Sequence, residues 1–220
     1  MAEVYGVKPK KFTKEWWPYF WMYYKWHTVI AVIAIFGIAL GIYQKATEVK
    51  YDLNLTYMAQ NIVIGKNGEQ ELIKALEPKM SDANGDGEVH LYINQINITG
   101  DEAQAYLDVD LRTKHDMEFG NEFSYLYIYD TNEFELIDGS SNLDEAYIDV
   151  SEWAGDIGEK AVLSGDGGTY GVSLKDSQIM KQCGIDSDDL YVFIKNDSID
   201  KEKNKIAEEN AIILAKELIK

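Results

Sequence analysis

A single cysteine, Cys183, stands among 220 residues. Its isolation excludes an internal disulfide and any zinc site that needs two or more thiolates. Histidine is nearly as scarce: His27, His90 and His115 are the only three. None belongs to an HExxH pattern, and no GxSxG or phosphate-loop motif occurs. Basic residues are also in short supply, with 21 Lys and Arg against 38 Asp and Glu and a formal net charge of −17. The deficit is uneven. Residues 1–50 carry 7 Lys and 3 acids, a balance of +4, whereas residues 51–220 carry 14 basic residues and 35 acids, a balance of −21. A domain that acidic is repelled by nucleic acid and by anionic headgroups, which excludes both as its ligands. Hydrophobic residues make up 46% of the chain, enough for a core, so disorder is excluded as well.

What the chain does have is one long apolar run. Between Lys25 and Lys45 lie 19 residues without a formal charge, WHTVIAVIAIFGIALGIYQ. As a helix they span about 28 Å, close to the roughly 30 Å of a bilayer's hydrocarbon core. Lys8, Lys10, Lys11, Lys14 and Lys25 precede the run, while Lys45 and Lys50 follow it beside Glu48 and Asp52. The positive-inside rule then predicts a cytoplasmic N-terminus and an acidic domain outside. A cleaved signal peptide is the competing reading, with Ala39 and Gly41 as the small residues before the cut. The length of the run and the bulky aromatics ahead of it favour an uncleaved signal anchor. No cysteine stands near 38–46, which excludes lipoprotein processing there. The stretch EWWPYFWMYYKWH (15–27) reads as an aromatic belt at headgroup level, with a docking surface for a membrane partner as the alternative. GIALG (37–41) is a small-xxx-small pair that permits helix dimerisation. The predicted organisation is a basic, aromatic tail (1–25), a transmembrane helix (26–45), a linker (46–50) and one extracytoplasmic domain (51–220).

Within that domain the periodicity alternates in type. YDLNLTY (51–57) has a period of two, and EQELIKALEPKM (69–80) has helical spacing that Pro78 ends near Leu76 or Glu77. VHLYINQINI (89–98) reads as a strand. DEAQAYLDVDLRTKHDMEFG (101–120) reads as a helix with Ala103, Leu107 and Leu111 as its apolar face and Tyr106 alongside. FSYLYIYD (123–130) is apolar and aromatic almost throughout, the mark of a central strand buried on both faces. LDEAYIDVSEWAG (143–155) suggests a short helix or turn, and SGDGG (164–168) a loop. TYGVSL (169–174) and DLYVFIK (189–195) are further strands, SQIMKQCG (177–184) a short helix between them, and 201–219 a terminal helix. The order predicts an α/β domain with a mostly parallel or mixed sheet flanked by helices.

The run from YDLNLTY through ALEPKMSDANGDGEVHLYINQINI and the following helix to FSYLYIYD resembles the N-terminal lobe of bacterial extracellular solute-binding proteins. GGTYGVSL and QCGIDSDDLYVFIKND are similar to later segments of that family. The resemblance implies an α/β lobe and an extracellular location in a Gram-positive-type bacterium. It carries over no solute site, because no ligand-contacting motif matches residue by residue. Members of that family usually close two lobes round a solute, and 170 residues supply about one. Many are also held by an N-terminal lipidated cysteine, which is absent here.

The strongest local motif is DANGDGEV (82–89). Asp82, Asn84 and Asp86 occupy positions 1, 3 and 5 of an EF-hand-type loop, Gly87 position 6, and Glu88 position 7, where a backbone carbonyl serves. Calcium is therefore the candidate ion. Position 12 is Ile93 rather than the bidentate glutamate, so a distant acid would have to complete the shell. The plain alternative is an acidic turn, where Asn, Asp and Gly are expected anyway. Ser164 has no base nominated for it, Cys183 reads as a small packed hydrophobe, and Lys201, Lys203 and Lys205 form a solvated face. Two function classes remain. One is a non-catalytic, membrane-anchored interaction or ligand-sensing domain, an accessory part of a larger assembly whose protein partner carries a basic patch. The other is a solute-receptor-like domain of a transport system or an extracellular hydrolase with a carboxylate site. A pocket of converging carboxylates would favour the hydrolase, and a flat aromatic patch the interaction domain.

Overall fold

The computed structural model describes residues 9–60, 62–121, 124–139, 142–155, 160–165, 167–196 and 205–220. Lys8, Phe123, Asp166, Lys201, Lys203 and the predicted start of the terminal helix lie outside them. Contacts divide the chain into two units between Val49 and Lys50.

In the first unit, α1 runs from Trp16 to Ala46, 31 residues. It begins ten residues before the predicted span because the aromatic belt is itself helical. Pro18 falls in the first turn, where its missing N–H would have had no partner. Apolar side chains are spread around the whole circumference and none is buried. A helix apolar on every side belongs in lipid or in a large core, and α1 is long and apolar enough to cross a membrane.

The second unit is a mixed α/β domain. Its strands are β1 (Leu53–Gln60), β2 (Leu91–Ile98), β3 (Leu126–Asp130), β4 (Ala161–Leu163), β5 (Thr169–Ser173) and β6 (Leu190–Ile194). They form one sheet in the order β2-β1-β3-β6-β5-β4. β1 pairs parallel with β2 and β3, whereas the β3–β6, β6–β5 and β5–β4 pairs are antiparallel. The helices are α2 (Lys66–Leu76), α3 (Ala105–Gly120), α4 (Thr131–Asp138), α5 (Leu143–Ala146), α6 (Val150–Trp153), α7 (Gln178–Gln182) and α8 (Lys205–Leu218). α2 stops at Leu76 and tightens into a 3₁₀ turn at Glu77–Lys79, as Pro78 requires. β1 leads through α2 to β2 on one side, and β2 leads through α3 back to β3 on the other. Right-handed crossovers of that kind place the two helices on opposite faces of the sheet.

The faces differ in chemistry. One is mainly aliphatic, built from Leu53, Leu55, Ile93, Leu126, Ile128 and Val192 under Leu72, Leu76, Ala211 and Leu214. The other is aromatic, built from Tyr127, Tyr129, Phe134, Tyr147, Tyr170 and Phe193 with Met58, Ile96 and Ile98. β3 supplies both, with every residue buried.

The inward face of α3 is not the one its apolar residues suggested. Leu107 is 38% exposed and Tyr106 78%, while Asp108 and His115 are buried. Both have partners. Asp108 accepts the amide protons of Thr99 (3.0 Å) and Gly100 (2.9 Å) and bonds the Thr99 hydroxyl. His115 Nε2 lies 2.8 Å from the Tyr129 hydroxyl. Arg112 makes a two-pronged bond to Glu133 through Nε (2.9 Å) and Nη2 (2.5 Å). Helix α3 thus docks by hydrogen bonds spaced one turn apart, with Leu111 and Phe119 filling between them. α4 also escaped the pattern, although Asp130 caps it by accepting from Glu133 N (2.9 Å), a signature readable in DTNE.

The Thr99 and Gly100 amides hold Asp108 below the usual carboxylate range. A depressed folded value means that its contribution is complete above the unfolded value near 3.9 and fades as pH falls through the folded one. Asp108→Ala is expected to cost about 1–2 kcal/mol at pH 7 by removing the acceptor of those amides. Urea unfolding at pH 7 and at decreasing pH checks this: the gap between variant and parent should narrow towards pH 2.

Candidate functional site

Residues 143–153 carry the chain around the end of the sheet. Leu143 and Tyr147 belong to the aromatic cluster, Val150 and Trp153 to the aliphatic one. The crossing is pinned to the end of β6: Ile148 N donates to Ile194 O and Asn196 N to Ala146 O, both at 2.9 Å. Asp149 then caps α6, accepting Ser151 N at 2.8 Å and the Ser151 hydroxyl at 2.5 Å. Those bonds hold its carboxyl below the usual range, so it is ionised at neutral pH.

The crossing leaves a cleft of about 430 Å³. Its aromatic lining is Tyr147, Trp153 and Tyr170, and its acidic lining is Asp144, Asp149, Glu152 and Glu208. Ile148, Asn196 and Ile212 complete it. Among the described residues, none of the four acids is ion-paired with Lys, Arg or His. Trp153 is 3% exposed, and its indole N–H has no acceptor among the described residues. Tyr147 is fixed from behind: its hydroxyl lies 3.0 Å from that of Tyr129, which in turn meets His115. Burial pushes the phenols of Tyr129 and Tyr147 well up, so both stay protonated. Chemically the cleft offers carboxylates beside aromatic side chains. A cation is the complementary ligand.

A second place to look is the carboxyl end of the parallel strands, where β1 and β3 part towards α2 and α4. Asp130 sits there, buried, its carboxyl raised by that burial. Its oxygens accept Gln60 N (2.5 Å) and Glu133 N (2.9 Å), while Arg112 holds Glu133. Asp130 does not line the cleft, so the raised carboxyl and the cleft carboxylates are separate. Ser164 donates to Asp138 Oδ1 at 2.5 Å, which ties a loop together.

The four loop residues singled out from sequence lie in one turn closed by its own hydrogen bonds. Asp82 accepts Gly85 N (2.6 Å) and Gly87 N (2.8 Å), Asn84 Oδ1 accepts Asp86 N (3.0 Å), and Asp86 accepts Glu88 N (3.1 Å). Gly85 and Gly87 hold φ of 75° and 89°, values that favour glycine. The distant acid nearest the loop is Asp52, whose Oδ1 accepts Ala83 N (2.8 Å) and Asn84 N (3.1 Å) and whose Oδ2 accepts His90 N (2.8 Å). The Glu88 side chain turns to His90 Nε2 at 3.1 Å. Among the described residues, no group of three or more His, Cys, Asp or Glu is arranged to hold a metal ion.

Sequence reasoning found the loop and missed the cleft. Its acids are spread over 144, 149, 152 and 208, and only the crossing at 146–148 gathers them. The readable signal was the alternation of acid and aromatic in LDEAYIDVSEW.

No family model matches this chain, and no curated protein matches it. Among solved structures, an extracellular solute-binding protein family 1 from Alicyclobacillus acidocaldarius is similar at 16% identity and a TM-score of 0.34. The likeness covers 57% of this chain and 29% of that one, so this chain spans well under two thirds of its length. It is a distant resemblance in fold and has no bearing on ligand or partner.

If the loop binds calcium, millimolar calcium should raise the melting temperature, since a ligand for the folded state alone stabilises it. Asp82→Ala with Asp86→Ala should abolish that rise. Melting curves that coincide in calcium and in chelator would leave the acidic turn as the loop's whole role.

Proposed function

We propose that the chain is a single-pass, membrane-anchored, non-catalytic binding module with its N-terminus in the cytoplasm and its acidic domain outside. The observation that carries this reading is an apolar helix with no buried residue, followed by a domain with a charge balance of −21. The helix keeps the domain near a membrane surface, where a partner of modest affinity meets a raised effective concentration. The partner carries a basic patch, because a domain of −21 both attracts positive charge at a distance and supplies carboxylates for it on contact. The module is an accessory component of a membrane assembly.

Two observations favour other readings. The cleft volume of about 430 Å³ lies within the range of small-molecule sites, which suits a solute receptor of a transport system. Its four carboxylates suit an extracellular hydrolase. General acid–base work by a carboxylate pair needs one member kept protonated, and Asp149, spent on the α6 cap and held below the usual range by its Ser151 bonds, cannot be that member. The binding reading is therefore preferred.

Protease added to intact cells is expected to remove residues beyond about Tyr51 and spare the N-terminus. Recovery of a partner by affinity capture from native membranes should weaken as salt rises, because screening acts on exposed charge. A domain protected from external protease would overturn the orientation. Turnover of a substrate that Glu152→Gln abolishes, without loss of fold, would establish the hydrolase instead.

A further inference from the structure

We propose that the outward face of α3 is a docking surface for a basic amphipathic helix of a protein partner; this rests on the reading of the domain as a binding module for a basic protein. The polarity of α3 is inverted. Its inward side carries Asp108 and His115, with Arg112 half-buried, and these bond to Thr99, Tyr129 and Glu133. Its solvent side carries Tyr106, Val109, Thr113 and Met117, a row at i, i+3, i+7 and i+11 that runs along the helix for about 16 Å. Tyr106 is 78% exposed, Val109 60% and Met117 59%. The Thr113 hydroxyl donates back to Val109 O at 2.8 Å, so no group that needs water interrupts the row. Apolar residues exposed singly are ordinary. Three in one row, on a helix whose polar side chains are turned inward, form a surface suited to contact.

The charge around the row selects the occupant. Asp110 stands one turn from Tyr106 and from Thr113, Asp116 one turn from Thr113, and Glu102 precedes the row; all three are exposed. The helix's own cations are committed, Arg112 to Glu133 and Lys114 to Glu118 at 3.5 Å. Among the described residues, Glu102 and Asp110 have no ion pair. A second copy would bring the same acids and another domain of −21 against this face, which is repulsive. A surface bearing anionic lipid is repelled in the same way. An apolar stripe bordered by Lys or Arg matches both the row and its flanks. The form of that stripe follows from the backbone. A helix offers no free ladder edge to a strand, whereas its i±3 and i±4 ridges interdigitate with those of another helix. Tyr106 combines a large apolar ring with a hydroxyl that stays wet, and Met117 adapts its shape, both suited to an interface. The face is also held in place beforehand by the bonds on its inward side, which limits the ordering that docking imposes.

The test uses the full chain in nanodiscs of zwitterionic lipid, with Cys183→Ser and Thr113→Cys so that a polarity-sensitive fluorophore sits in the middle of the row. The probe is an acetylated, amidated helical peptide of about fourteen residues, with Leu along one face and Lys on its flanks. The controls are a scrambled peptide of the same composition and a counterpart with Glu in place of Lys. Empty nanodiscs give the affinity of each peptide for lipid, which is subtracted. The Leu/Lys helix is expected to shift the fluorophore to the blue and to bind at least about tenfold more tightly than either control. Tyr106→Ser with Val109→Ser, both exposed, should weaken it at least about tenfold while the melting temperature stays close to the parent's. Glu102→Gln with Asp110→Asn should weaken it as well and flatten its salt dependence. Equal binding of either control peptide, or indifference to the serine pair, would overturn the proposal. So would a fluorophore already in an apolar setting without peptide: in discs of one copy lipid is the occupant, and in discs of two copies alone a second chain is. Failure here is separable from failure of the parent reading. A basic membrane protein captured equally by the parent and by the serine variant places the partner elsewhere on the domain and sinks only the α3 assignment. The peptide bound on α3, with no membrane protein captured, sinks the parent reading and leaves the α3 assignment standing.

Discussion

The hydroxyl of Tyr129 is the group around which the domain is organised. β3 is parallel to β1 and antiparallel to β6, so it is covered on both faces and both edges. The Tyr129 ring is large and buried, and its hydroxyl gains from partners, since an unpaired buried hydroxyl is costly. It finds two, His115 on α3 and Tyr147 on the crossing segment. The first draws a histidine into the face of a helix that would otherwise be judged by its leucines. The second fixes the ring that lines the cleft. One buried hydroxyl thus connects sheet, helix and candidate site.

The same rule explains why this fold tolerates so many buried acids. Asp52, Asp108 and Asp130 are all nearly inaccessible, and each accepts backbone amide protons at the end of a strand or the start of a helix. They close loops that have little apolar surface to pack. A chain rich in Asp and Glu uses part of its surplus for this and keeps the rest at the surface. The cleft acids differ because, apart from Asp149, they are not committed to the backbone of the described residues in this way.

Much of the architecture was legible in the sequence. The strands at YDLNLTY and FSYLYIYD and the helix stop at Pro78 follow from local chemistry, although β1 starts at Leu53 and is buried on both faces instead of alternating. The apolar run before Lys45 announces its helix by length alone. What was not legible depended on pairing across long separations. The inward face of α3 is set by Thr99, Glu133 and Tyr129, so hydrophobic periodicity pointed at Leu107 when Asp108 is the buried neighbour. β4 is three residues long and acquires its identity from pairing with β5. The metal-like loop was found because its residues are contiguous. The cleft was missed because Glu208 joins it from more than 50 residues away.

The central claim is that an acidic, membrane-tethered domain receives a basic segment of a protein partner along α3. Zero-length carbodiimide coupling in native membranes joins carboxylates to lysines in direct contact, and mass spectrometry of the products locates both ends. The account predicts links from Glu102, Asp110 or Asp116 to lysines of one membrane-associated protein. Links confined to other carboxylates of the domain, with these three unmodified by any partner, would contradict it.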